Sequence, residues 1–84
     1  MLDDRLAACV NIGAAVESIY HWRGRIEMAS EVQVAIKTRP ALYTNVEDTI
    51  RKIHPYDTPE IIAIPIIAGE ARYLEWLAAE TTPG

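Results

Sequence analysis

A strand, a polar turn, a second strand, a helix, an apolar stretch and a final helix follow one another along the 84 residues. That order predicts an α+β fold: an antiparallel sheet of ferredoxin-like pattern with two helices on one face, lacking the first strand and most of the first helix. Three observations carry the prediction. Glu31-Val32-Gln33-Val34-Ala35-Ile36-Lys37 alternates with the period of a strand, whereas Leu42, Val46, Ile50 and Ile53 recur with the period of a helix. Ile61 to Ile67 is a continuous apolar run that expects cover on both faces. Residues 1–84 read as one domain, near the lower size limit for independent folding.

Each element has its own signals. Asp3-Asp4-Arg5-Leu6-Ala7-Ala8 reads as the last turns of a helix, and from Cys9 the pattern turns to strand. Over Val16 to Trp22, the side chains of Val16, Ser18, Tyr20 and Trp22 share one face; Glu17, Ile19 and His21 share the other. Gly24 permits a tight turn at Arg23-Gly24-Arg25, so Val16–Trp22 and Val32–Lys37 form a long antiparallel hairpin with an exposed tip from Arg23 to about Ser30. Val32, Val34 and Ile36 are expected in the core. Pro40 opens a helix, where its missing N–H costs nothing, and Pro55 ends it by disfavouring helix at His54. Pro65 cannot donate to a ladder, Gly69 marks a turn, and Ala71 to Glu80 forms a helix with Leu74, Leu77 and Ala78 on one face. Thr81-Thr82-Pro83-Gly84 reads as a frayed tail.

Composition excludes some functions. Half the residues are hydrophobic, which supports a core and favours its completion against a partner subunit. The net charge of −4 argues against duplex nucleic acid, whose binding needs clustered Lys and Arg. A lone cysteine, Cys9, forms no internal disulfide; in its apolar run it reads as a small buried hydrophobe and fits a reducing cytoplasm. The acidic start is not the basic opening of a signal peptide, and no stretch reaches the ~18 apolar residues of a membrane span.

The segment with most chemistry is His54-Pro55-Tyr56-Asp57-Thr58-Pro59-Glu60, which leads into the Ile61 run. An imidazole with Asp57 and Glu60 offers a weak, open site for Cu²⁺ or Zn²⁺, completed by a neighbouring subunit. The alternative is that His54 caps the preceding helix, at whose C-terminus partial negative charge favours an N–H donor. Tyr56 is either a packed aromatic or a ligand donor. His21 reads as a solvated surface residue, and Trp22 and Trp76 as core or interface anchors. No phosphate loop or nucleophile arrangement is present, which points away from an enzyme and from an organic cofactor.

Four segments, in order and spacing, resemble one family. They are Arg5-Leu6-Ala7-Ala8-Cys9-Val10-Asn11-Ile12; Ser18-Ile19-Tyr20-His21-Trp22-Arg23-Gly24-Arg25-Ile26; Glu31 through Arg39; and His54 through Ile62. The resemblance is to the CutA divalent-cation tolerance proteins and runs from about Asp4 to Leu77. It implies a cytoplasmic homotrimer, related in shape to the PII signalling proteins, in which the long hairpin ties subunits together. It also implies a link to divalent metals, copper especially. By the resemblance, Lys37 and Thr38 lie near a pocket between subunits with Tyr56, Glu60 and Trp22, where they could hold an anion. Asp57 stands where the family commonly has Glu. Family members usually have a strand and a full helix ahead of the Arg5 segment, and in the ferredoxin-like order that strand lies between Val32–Lys37 and Ile61–Ile66. Three readings follow: a trimer binding copper or another divalent cation, a PII-like sensor of a small anion or metabolite, and a structural trimer that tethers other proteins.

Overall fold

A computed structural model describes residues 1–54 and 60–82. Two long strands form its sheet, β1 over Cys9–Trp22 and β2 over Arg25–Lys37, paired antiparallel. The connection is two residues long. Arg23 at φ 51° and Gly24 at φ 79° both take left-handed backbone, as a type I′ hairpin turn requires. The hairpin extends well beyond the Val16–Trp22 and Val32–Lys37 cores expected from alternation, because pairing continues from Trp22↔Arg25 to Cys9↔Lys37. Alternation in β1 breaks midway: the register passes from Ile12↔Val34 to Ala15↔Val32, so Gly13 and Ala14 together face Gln33. This bulge explains why the first half of β1 gives a weaker period-two pattern than the second.

After Lys37 the chain turns through a single 3₁₀ turn, Pro40–Leu42, into α1, Tyr43–Ile53. The proline sits at the start, as its missing N–H dictates. The helix ends at His54, whose backbone is extended at φ −77°, ψ 133°, while its N–H still donates to the Ile50 carbonyl at 2.9 Å. The second helix, α2, covers Ala71–Glu80 with the bounds the sequence gives. Its first turn is closed by Glu70, whose carboxylate accepts from the Tyr73 N–H at 2.9 Å. The glycine before it lets Leu74 lie close, since a Cβ at Gly69 would meet a Leu74 methyl carbon at 2.9 Å and make that side chain shift.

Among the described residues the buried apolar side chains are Ala7, ahead of β1, Val46 in α1 and Leu77 in α2; Thr81, just after α2, is buried too. Residues 2–5 form turns that close as a helix C-terminus does: the Leu6 N–H donates to the Met1 carbonyl at 3.0 Å and the Arg5 N–H to the Leu2 carbonyl at 3.2 Å, with Arg5 in left-handed backbone. Three expectations change here. Thr81 is fully buried and hydrogen-bonded instead of fraying, because it closes α2 against Arg39. Val32 and Val34 are about half exposed and only Ile36 of the three is partly covered, since among the described residues no layer packs on that stretch of β2. Ile61–Ile67 joins no ladder, and Ile62, Ile64, Ile66 and Ile67 are exposed. An apolar run becomes a strand only when another strand accepts its hydrogen bonds, and among the described residues none lies beside it. The α+β class and an incomplete ferredoxin-like arrangement stand.

Candidate functional site

The residues with ligand chemistry fall in three places: the base of the hairpin, its tip, and the junction after α1. At the base, Cys9 pairs across the ladder with Lys37. The Lys37 ammonium donates to Asn11 Oδ1, and the Cys9 thiol lies 3.6 Å from the same oxygen. The next residue, Thr38, donates from Oγ1 to the Leu6 carbonyl at 2.5 Å. Both groups read from the sequence as anion donors are therefore occupied within the chain, by an amide oxygen and a backbone carbonyl. Asn11 is a contact that alternation alone does not reveal: it lies two residues along β1 from the partner of Lys37, on the diagonal that a long side chain reaches. Cys9 is half-buried at the sheet edge, more open than the buried role expected of it.

At the tip, Trp22 is 44% exposed and stacks against the Arg23 guanidinium, 5.6 Å from the ring centroid. Thirteen residue steps of strand separate it from the Lys37 level, about 40 Å at the usual rise. One chain therefore cannot bring Trp22 and Lys37 to one pocket; only a neighbouring subunit could. Trp76 is likewise 42% exposed, tilted against Tyr73 at 5.7 Å, so neither tryptophan is a core anchor within one chain. His21 is exposed on β1, as expected.

At the junction, His54 follows the last residue of α1 and is half-buried; Glu60 is exposed. Tyr56 and Asp57, the other residues singled out there, lie outside the described residues. Among the described residues no three His, Cys, Asp or Glu side chains gather closely enough to hold a metal ion. The donor chemistry of His54 and Glu60 suits Cu²⁺ or Zn²⁺, but two donors make an incomplete shell.

The junction is braced by Tyr43. Its hydroxyl donates to Glu47 Oε2 at 2.7 Å and lies 3.3 Å from the Ile61 carbonyl, which ties the start of the apolar run to α1. Donation to Glu47 holds the phenol pKa above its usual value; desolvation and the Glu47 charge add to the effect, and Arg51 opposes it. A second brace, absent from the sequence reading, joins the end of β2 to the end of α2. Arg39 Nε donates to Thr81 Oγ1 at 2.9 Å, and its terminal nitrogen donates to the Thr81 carbonyl. Thr81 Oγ1 in turn donates to the Leu77 carbonyl at 2.8 Å.

Comparison with known proteins places this arrangement in context. The family described as CutA1 divalent ion tolerance protein matches residues 1–80. Among relatives, the chain is 43% identical to the chloroplastic protein CutA of Arabidopsis thaliana and to protein CutA of Homo sapiens, over 96% of its own length in both cases. It spans 44% and 45% of those two proteins, less than half of each. It is 38% identical to the divalent-cation tolerance protein CutA of Thermus thermophilus and spans 79% of it. The solved structure of that Thermus protein superposes with a TM-score of 0.92, covering 96% of this chain and 79% of the other. The CutA1 structure from the psychrotrophic bacterium Shewanella sp. SIB1 superposes with a TM-score of 0.90 at 44% identity, covering 95% of this chain and 75% of that one.

Proposed function

Because the chain belongs to the CutA1 divalent ion tolerance family, we propose that it takes part in tolerance of divalent metal ions by binding them weakly, copper first. The observation that carries this reading is the family match over residues 1–80. In support, a bacterial relative spanned over 79% of its length is named a divalent-cation tolerance protein. The ligands we propose are His54 with Asp57 or Glu60. An imidazole at the end of α1 suits Cu²⁺, and carboxylates six or fewer residues away can add oxygen donors. Two or three donors leave the shell open, so a neighbouring copy completes it. The protein acts as a cytoplasmic homotrimer and not as an enzyme. Extensive exposed apolar surface along the hairpin supports self-association, and a lone thiol suits a reducing compartment.

Calorimetric titration of the metal-stripped protein with Cu²⁺, in a weakly competing buffer, tests the reading. Saturable heat near one ion per chain is expected, with His54→Ala weakening it by roughly tenfold or more, as loss of a first ligand should. Copper binding by His54→Ala equal to that of the parent would show the proposed site to be wrong.

A further inference from the structure

Two contacts hold the ends of the segment that carries the candidate metal donors, and both are made by α1. At its start, the His54 N–H donates to the Ile50 carbonyl at 2.9 Å. At its end, the Ile61 carbonyl lies 3.3 Å from the Tyr43 hydroxyl. The second contact is a point anchor. Ile61 is half-buried, whereas Glu60 before it and every residue from Ile62 to Glu70 are exposed.

The anchor is itself held. Glu47 stands one turn along α1 from Tyr43, and its Oε2 accepts from the Tyr43 hydroxyl at 2.7 Å. Its other oxygen, Oε1, is 3.5 Å from the Arg51 guanidinium, a further turn along. Tyr43 and Glu47 are both half-buried. The hydroxyl has one proton and two acceptors. The shorter bond, to Glu47, sets the ring, and the ring then presents its oxygen to the Ile61 carbonyl.

Fixed ends matter for a cation held by one segment. His54 and Glu60 are six residues apart in sequence. A metal bound by both must close that stretch, and the entropy lost in closing it weakens binding. Where folding has already fixed the ends, less freedom remains to be lost. Glu60 adjoins the anchored Ile61, so the tie limits where its carboxylate can go. Resting on the metal reading above, we infer that Tyr43 is a positioning residue: it touches no metal, but by holding Ile61 to α1 it keeps Glu60 within reach of a cation on His54. Affinity for that cation therefore depends on a phenol outside the ligand set.

The test is calorimetric titration of the metal-stripped parent, Tyr43→Phe and Arg39→Lys with Cu²⁺, together with backbone order parameters of the metal-free proteins. Phenylalanine fills the same space without the hydroxyl. Tyr43→Phe should bind Cu²⁺ roughly threefold to tenfold more weakly, the factor that loss of one hydrogen bond produces. The order parameters of the Glu60 and Ile61 amides should fall in that variant, while that of Val46 stays. Arg39→Lys loosens the contact with Thr81 and leaves Tyr43 and Ile61 alone, so it should bind within about twofold of the parent. Tyr43→Phe binding Cu²⁺ as tightly as the parent, or unchanged order parameters at Glu60 and Ile61, would overturn the inference and leave the metal reading standing. An Arg39→Lys loss equal to that of Tyr43→Phe would overturn it too, by tracing the effect to the stability of the whole domain. A parent chain that takes up no Cu²⁺, or a His54→Ala chain that binds as the parent does, would overturn the metal reading itself and this inference with it.

Discussion

Arg39→Ala should destabilise this chain more than most single substitutions outside the buried core. The guanidinium gives Nε to Thr81 Oγ1 at 2.9 Å and a terminal N–H to the Thr81 carbonyl, and Thr81 is wholly buried. Each hydrogen bond from a charged donor contributes about 1.5–3 kcal/mol. Arg39 is partly exposed, so the lower end of that range applies. The positive charge also sits at the C-terminus of α2, where the helix dipole adds about 0.3–1 kcal/mol. The expected loss is about 2–3 kcal/mol, part of it from leaving the Thr81 carbonyl buried without its donor. At roughly 4–8 °C per kcal/mol for a domain of this size, the thermal midpoint should fall by about 10–20 °C. Urea titration followed by circular dichroism measures the change, and Arg39→Lys, which keeps the charge but not the fork, should lose about half as much. Thr81→Val removes one end of the contact, so the double substitution should cost less than the two singles together, with a coupling near 1 kcal/mol. A loss in Arg39→Ala below about 0.5 kcal/mol, or strict additivity with Thr81→Val, would refute the view that this clamp joins the strand layer to α2.

The hairpin turn gives the second test. Arg23 holds its Cβ in the unfavourable left-handed region at φ 51°, so Arg23→Asn should raise stability by about 0.5–1 kcal/mol, read as a higher urea midpoint, whereas Gly24→Ala at φ 79° should lower it by about 1 kcal/mol. At Gly69 a Cβ would meet Leu74 side-chain atoms at 2.9–3.2 Å, so Gly69→Ala should push the Leu74 side chain aside and lower the thermal midpoint by a few degrees, about what 1 kcal/mol or less produces. Tyr43 makes a pH-dependent contribution whose sign is fixed by its raised pKa. The folded state holds the phenol proton more tightly than the unfolded chain, so the contribution is complete below pH 10 and is lost as pH rises through the folded-state value. Ultraviolet titration should find a phenol ionising above the ordinary tyrosine value, absent in Tyr43→Phe.

What was legible in the sequence is what one segment decides by itself. The bounds of α2, the proline that opens the turn before α1, the stop at His54 and the hairpin turn all depend on local backbone chemistry, and all stand where the residues put them. What misled was reading burial from hydrophobicity. Val32, Val34 and the Ile61–Ile67 run were expected in a core, yet burial belongs to a pair of surfaces, and the second surface is not among the described residues. The same logic ran in reverse at Thr81: a polar residue in an apparently loose tail is buried because a cation distant in sequence closes over it. Long-range polar contacts such as Arg39 to Thr81 and Lys37 to Asn11 leave no periodicity to find. For the candidate metal ligands, His54 was placed by the helix stop that also exposes it to the following segment, while Asp57 falls outside the described residues and Glu60 stands in solvent. The local features thus predict where an imidazole is presented, and the number of donors that meet it depends on contacts between chains.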